Sequence, residues 1–534
     1  MKKYFKKNRA YFIGALFTAF ISTLFSVVLQ FFKGDVLDYA VAGDISNAVK
    51  FAALLMSFIL GEIGFDFCYK QLRAVFVARC AGQLKQDIFQ RILEQSYVDY
   101  RKLPQGEYIA KYASTADAIK DKLFRWLPLF WSMLFHIVLV SVALFLLNWR
   151  IALITIALLT TPLYVPKLIE KRLQKAQEDY IKSVESTLSK INDWLAGFEI
   201  IKNFSVERKI TEKFRQANGD STEKLLRDMR LGAISQLLTT LISYLSYFIV
   251  LACAAWLVLK KDFTAGDFFV AIGMIDQLSF PLINLADIAG ELIAIKPVCQ
   301  ETEQFLATSA KEHFENDLQA VERDIRYKDV TFAYGDQPPI LRNFSLTIEK
   351  GKRYLLKGPS GCGKTTAVNL LLRYYDARSG SIEIDGVPIE QFGSTYGSMT
   401  VVRQEATLFH DTLRNNLTMY RDIPDERLIR VLELLGLDKY ANARSLDLEV
   451  AENGGNFSGG EKKRICLARA LLRDTDILIL DEPLANLDVD TAQRIEDMLL
   501  SIEGKTMIIV SHQFSENKLS RFERVVDFEK LNIA

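Results

Sequence analysis

From residue 11 to residue 32 the chain runs about 22 positions without one charged side chain. In lipid, a run of that kind can satisfy its backbone only as a helix, in which every N–H and C=O is bonded within the segment. At about 1.5 Å per residue it is also long enough to cross a hydrocarbon core about 30 Å thick. Lys2, Lys3, Lys6, Lys7 and Arg9 precede it, as they would in a signal peptide, but the stretch is too long for one and no small-residue cleavage site follows. Similar stretches recur at about 48–69, 127–147, 151–169, 234–259 and 267–288. Residues 1–307 are therefore expected to form an all-α membrane domain of six spans. Pro128, Pro162, Pro166 and Pro281 would break helices in water, whereas neighbouring helices satisfy the freed carbonyls inside a membrane bundle.

Charge orients this domain. Lysine and arginine collect on the cytoplasmic side of membrane proteins. Here they crowd the N-terminal tail, the segment after the second span (Lys70, Arg73, Arg79, Lys85, Arg91, Arg101, Lys102) and the segment after the fourth (Lys167, Lys171, Arg172, Lys175). The connections at 33–47, 148–150 and 260–266 are short or poorly charged, so both termini are expected in the cytosol. The two cytoplasmic connections are long, roughly 55 to 65 residues, and patterned as helices. Phe76, Cys80, Leu84, Ile88 and Ile92 recur every four residues, and Val184, Leu188, Ile191, Leu195 and Phe198 alternate steps of four and three. Each reads as a helical hairpin reaching into the cytosol, with breaks at about 103–106 and 204–214.

A net charge of +1 leaves no global field that would favour nucleic acid. Cys68, Cys80, Cys253, Cys299, Cys362 and Cys466 show neither metal-ligand spacing nor a disulfide framework.

After a polar linker at 308–322, the second half (323–534) carries a different signal. Gly358, Pro359, Ser360, Gly361, Cys362, Gly363, Lys364 and Thr365 match the pattern G-x-x-x-x-G-K-[ST], between a strand-like run (Tyr354, Leu355, Leu356) and a helical one. The glycines let backbone N–H groups turn inward around phosphate oxygens at a helix N-terminus. Lys364 would reach the β- and γ-phosphates and Thr365 would ligate Mg²⁺, with Thr366 beside them, so ATP and Mg²⁺ are the expected cofactors. Four aliphatics at 477–480 read as a buried parallel strand whose end presents Asp481 and Glu482 at a nucleotide crevice. Asp481 would hold Mg²⁺ through its water shell, and Glu482 would polarise the attacking water. Two more strand-like runs end at Gln404 and at Ser511-His512, the second placing an imidazole near the γ-phosphate. A stretch at 325–334 ends at Tyr334, which could stack on adenine. Finally, Phe457-Ser458-Gly459-Gly460-Glu461 opens a helix and makes a second anion site without a lysine of its own. One loop and one detached cap point to two chains sharing nucleotides.

With these residues in view, the chain resembles an exporter-type ATP-binding-cassette (ABC) half-transporter over nearly its whole length. The resemblance implies a multi-domain membrane protein: an all-α six-helix transmembrane domain with long cytoplasmic hairpins, then an α/β P-loop ATPase domain with a helical subdomain. It makes 358–365 the Walker A loop, 477–482 the Walker B strand with its catalytic glutamate, Tyr334 the adenine-stacking residue, Gln404 the Q-loop glutamine, which also approaches the metal, and His512 the switch histidine. Residues 457–461 resemble the signature motif, usually Leu-Ser-Gly-Gly-Gln, with Phe457 and Glu461 as departures. Ala485-Asn486-Leu487-Asp488 resembles the D-loop, with Ala-Asn where Ser-Ala is common, and Glu452 fits an acidic loop placed against the hairpins.

The function so implied is ATP-driven export across a bacterial plasma membrane by alternating access, with a second half-transporter chain, identical or not, as partner. An ATP-gated sensor or channel, and an importer on the same fold, are the alternatives. For the cargo, which the resemblance allows to be a peptide, a drug or a lipid-like amphiphile, the informative residues are acids. Glu62 and Asp66 lie one turn apart in the second span, and Asp276, Asp287 and Glu291 fall near one face of the sixth. They would suit a cationic or amphipathic cargo, but polar contact between helices or at the membrane interface is the preferred reading, with His136 and Arg125 expected to pair with these acids or with backbone.

Overall fold

The computed structural model describes residues 1–161, 165–307, 318–335, 337–359, 361–392, 394–485, 487–512 and 514–531. They belong to two compact units. One comprises Met1–Leu93 and Pro104–Thr308, the other Glu94–Leu103 and Ser309–Ala534. The chain thus leaves the first unit for ten residues at the tip of its first hairpin and returns to it.

The first unit is helical. Among the described residues, Arg9–Val41, Ile45–Leu93, Gln105–Leu147 and Glu207–Leu259 are long and apolar enough to cross a membrane. The stretch expected at 151–169 is divided into Trp149–Leu159 and Val165–Ala196, and Pro162 lies outside the described residues. The stretch at 267–288 falls within Ala265–Ala294, with Pro281 inside the helix. Ahead of Pro128 the chain makes a π-helical turn, Lys120–Phe124, in which the Arg125 N–H reaches back to the Lys120 carbonyl at 2.9 Å. That wider turn shifts the register just before the proline, whose missing N–H would leave a carbonyl open in a regular helix.

Val140, Leu144, Val250, Ala254, Met274 and Leu278 bury together between the spans. At Gly266 the helices meet backbone to backbone, since a Cβ there would lie 2.4 Å from the Gly34 carbonyl oxygen. In the first hairpin the four-residue repeat is a core stripe: Phe76, Cys80, Leu84 and Ile88 are buried with Tyr4, Ile119 and Phe124. The second hairpin differs. Val184, Leu188, Leu195 and Phe198 on its stripe are 40%, 55%, 65% and 57% exposed.

The hairpins break where the sequence places them, at 102–104 and 204–206, and each also breaks once earlier. The first opens after Leu93, where Ser96 caps a short helix, Tyr97–Arg101, by accepting from the Asp99 N–H. The second opens at Gly197 and at 204–206, flanking a short helix Phe198–Asn203. Ser205 adopts φ 51, a left-handed turn that ends this helix, and from Glu207 onward no glycine or proline interrupts the next until Gly219.

In the second unit the described strands are β1 (Asp324–Phe332), β2 (Leu341–Glu349), β3 (Arg353–Lys357), β4 (Ser379–Ile384), β5 (Val387–Pro388), β6 (Met399–Val402), β7 (Ile477–Asp481), β8 (Thr506–Val510) and β9 (Arg524–Asp527). They form an antiparallel sheet ordered β2-β1-β4-β5 and a parallel sheet ordered β6-β7-β8-β3-β9. β7 and β8 are buried at every residue, as central strands of a covered parallel sheet must be. β1 ends two residues before Tyr334 and carries irregular registers on both sides of Val330. Leu413, Leu417, Leu428, Leu432, Phe457 and Ile465 build a helical lobe around the helices Asp425–Leu434 and Gly459–Arg473.

Candidate functional site

β3, between β8 and β9 in the parallel sheet, delivers the chain into the phosphate-loop pattern. Gly358, Gly361 and Gly363 take φ 150, 85 and 104, backbone that L residues rarely adopt. Gly363 is also tightly enclosed, because a Cβ there would approach Leu341 to 2.8 Å. The helix Lys364–Leu371 follows at once, so its first N–H groups face the loop. Lys364, 8% exposed, folds back over the loop, and its Nζ donates to the carbonyls of Gly358 and Pro359 at 2.7 Å each. An open ring of N–H groups with a cation held across it is an anion cradle. Ser360 lies outside the described residues.

The acidic pair stands at the end of β7, beside this loop. Asp481 is buried, and its Oδ2 accepts from the Thr365 hydroxyl at 3.3 Å with the Arg403 guanidinium 3.9 Å away. Burial raises its pKa above the ordinary carboxylate value, an effect that Arg403 and Thr365 moderate. A carboxylate and a hydroxyl side by side are hard oxygen donors of the kind Mg²⁺ takes. Glu482 sits next in a left-handed conformation, φ 49, uncommon for a residue with a side chain. Its Oε1 meets His512 Nδ1 at 2.8 Å, while its buried Oε2 has no hydrogen-bond partner among the described residues. A buried carboxylate oxygen left open beside an anion cradle is placed to receive a proton donor such as water.

The remaining expected residues divide into two sets. Gln404 follows β6, exposed beside β7, so the loop, Thr365, Asp481, Glu482, His512 and Gln404 all gather at the same ends of parallel strands. Tyr334 joins Thr366, its hydroxyl 3.2 Å from the threonine Oγ1, and packs edge-on against Phe332 and Tyr375. The signature residues lie at the start of the Gly459–Arg473 helix, and among the described residues no hydrogen bond ties them to the loop. There Ser458 accepts from the Glu461 N–H while Glu461 accepts from the Ser458 N–H at 2.8 Å and from the Tyr440 hydroxyl at 3.1 Å. Gly459 and Gly460 complete that first turn. Asp488 caps the helix Val489–Ser501 by accepting from the Thr491 N–H at 2.9 Å. Asn486 lies outside the described residues.

Two residues that sequence reading passed over hold this site together. Lys463, 3% exposed, donates from the signature helix to the carbonyls of Arg403, Gln404 and Asp481 at 2.8, 3.1 and 3.3 Å. Burial lowers its pKa, opposed by the nearby Asp481 and Glu482 charges among others. Arg403 donates to Asn369 at 2.7 Å and lies over the Tyr374 ring, which in turn stacks on Tyr97 at 3.7 Å between centroids. Tyr97 belongs to the ten-residue hairpin tip that packs with this unit.

The intramembrane acids are partly accounted for. Glu291 pairs with Lys122 of another helical segment at 2.8 Å, as polar contact between helices expects, whereas Asp66 pairs at 2.6 Å with Lys70, one turn on in its own helix. His136 meets the Thr23 hydroxyl at 3.0 Å and bonds to the Ser132 backbone, the backbone alternative, rather than to an acid. The side chain of Asp287 lies outside the described residues.

Comparison with known proteins agrees with this geometry in both halves. Residues 9–282 match the family model of the ABC transporter transmembrane region, and residues 341–485 match that of the ABC transporter. A protein of Pseudoalteromonas translucida named ATP-dependent lipid A-core flippase is 26% identical over 90% of this chain and 85% of its own length. A Bacillus subtilis protein named for multidrug export is 28% identical over 84% of this chain and 79% of its own. The structure of a bacterial Atm1-family ABC exporter with ATP bound superposes with a TM-score of 0.81 at 21% identity, covering 97% of this chain and 93% of that one.

Proposed function

The chain belongs to the ABC transporter family, as a membrane protein with an ATP hydrolase coupled to transport, and from that premise we propose that two such chains together export a membrane-soluble amphiphile from the cytosolic side of a bacterial plasma membrane. The observation that carries the hydrolytic part is the open, buried Oε2 of Glu482, the residue next to Asp481, whose carboxylate meets Thr365 at the end of the anion cradle. Lys364 and the loop N–H groups bind and orient the phosphates of ATP. Glu482 takes the hydrogen bond of the attacking water on Oε2, and His512 fixes the carboxylate through Oε1. Thr365 and Asp481, with Gln404 alongside, would hold Mg²⁺, which supplies neutralising charge for the phosphates. Tyr334 and Thr366 form the wall on the side where adenine would lie.

The second chain has two supports. The Ser458–Glu461 cap is detached from the chain's own loop, and the apolar stripe of the second hairpin is exposed where that of the first is buried. ATP shared between two chains would favour the closed pair, and its hydrolysis would release it, which provides the differential binding that alternating access requires.

The test is Mg-ATP hydrolysis by the chain purified alone, beside Glu482→Gln. Turnover that falls at least a hundredfold in the variant, with ATP still bound, is the expected result. Turnover retained in Glu482→Gln would remove the assigned role, and a folded wild-type chain without turnover would point to a different partner chain supplying the second cap.

A further inference from the structure

The helices Val165–Ala196 and Glu207–Leu259 pack against one another and leave between them a groove of about 860 Å³. Its floor is small and apolar at the buried Ala176, and its walls carry Arg172, Lys175, Lys224, Arg227 and Arg230. The acids beside them are Asp220, which pairs with Lys224 at 2.7 Å, and Glu223. Arg172, Lys175, Arg227 and Arg230 make no ion pair or hydrogen bond among the described residues.

The position of the groove gives these charges a meaning. Arg172 comes just after the apolar stretch 151–169 and Arg230 just before 234–259, so the cations lie at headgroup depth on the side where positive charge collects. The same helix face then continues into the apolar region. Seven-residue steps stack Arg227, Ile234, Leu241 and Phe248 along one line and Arg230, Leu237 and Tyr244 along the next. Every one of these residues is exposed. A general inside-positive bias would spread cations around each helix, whereas here they converge from two helices on one concavity that opens onto an apolar rail.

Resting on the reading of the chain as an amphiphile transporter, we propose that this groove binds the phosphate-bearing headgroup of an anionic lipid from the cytoplasmic leaflet. Three guanidinium groups supply the paired donors that fit phosphate oxygens. The acyl chain lies along Ile234, Leu241 and Phe248.

The experiment titrates the full chain with short-chain phosphatidic acid, and with phosphatidylcholine of the same chain length, and counts bound lipid by native mass spectrometry without ATP. Phosphatidic acid is expected to bind at least tenfold more tightly. The triple variant Arg172→Gln, Arg227→Gln, Arg230→Gln should weaken it about a hundredfold, since each cation near an anionic headgroup contributes roughly fivefold. Arg208→Gln, Lys209→Gln, Lys213→Gln, an exposed set farther along the same helix, should leave it unchanged. Equal binding by the triple variant, or an equal loss in the second set, would overturn the site. Displacement by inorganic phosphate at matched concentration would reassign it to a free anion and sink the lipid. Because the titration needs no turnover, its failure leaves Glu482-dependent hydrolysis standing, and a chain that fails to hydrolyse ATP can still be titrated.

Discussion

Glu461 shows what a residue's neighbours decide. In the sequence it is a departure from glutamine at a nucleotide contact. In the fold its carboxylate closes a capping box with Ser458 and takes the Tyr440 hydroxyl. Burial opposes its ionisation, but the bonds from Ser458 and Tyr440 outweigh burial and hold its pKa below the usual glutamate value. Its stabilising contribution is therefore present above about pH 4.5 and is lost as pH falls through the lower folded value. Glu461→Gln keeps the box, because glutamine serves the same third position, and is expected to hydrolyse ATP within about twofold of wild type. Glu461→Ala should lose about 1 kcal/mol of stability at neutral pH, with the gap between these two variants unchanged at pH 3, where the gap between wild type and Gln changes instead. Thermal unfolding at the two pH values checks this, and a turnover collapse in Glu461→Gln would show that the carboxylate contacts nucleotide after all. Lys463 illustrates the opposite blindness. A lysine on a helix reads as solvated surface, and its three carbonyl partners come from segments 18 to 60 residues away that only the sheet order β6-β7 brings beside it.

Elements were legible in proportion to how much of their burial is encoded locally. β7 and β8 are unbroken aliphatic runs buried at each position, so their type and their chemistry-bearing ends could be read directly. β1 was legible as a strand but not in its register, because Asp329 turns left-handed within it and the pairing slips on either side of Val330. The hairpin tips were harder still. Nothing local marks Tyr97 as a contact, yet its ring stacks on Tyr374, which lies beneath Arg403 and so within two contacts of Asp481. A stacked aromatic pair contributes about 0.5–1.5 kcal/mol beyond its buried area. Tyr97→Ala and Tyr374→Ala should therefore be non-additive by about that amount in a double-mutant cycle, read as the protection of residues 94–103 from hydrogen exchange. Additive effects would show that the tip is held by other residues.

At the scale of the molecule, the sequence shows two apolar helical repeats of the same kind in the two hairpins, and one chain satisfies only the first. Phe76, Cys80, Leu84 and Ile88 are covered within their own unit, while Val184, Leu188, Leu195 and Phe198 are not. Periodicity reports that a face is apolar and is silent on whose surface covers it, so this difference could emerge only from the fold. Covering a Leu or Phe side chain contributes about 1.5–3 kcal/mol, and a carboxylate put in its place would in addition have to be desolvated at the contact. If a second chain supplies the cover, Leu195→Asp with Phe198→Asp should weaken association at least a hundredfold. In the Glu482→Gln background with Mg-ATP, light scattering should then report one chain where the parent reports two. The substitutions fall on exposed positions, so the single chain should keep its helical content by circular dichroism. A pair that persists undiminished would mean that this stripe does not form the joint, and the exposed start of the signature helix would be left as the only support for two chains sharing ATP.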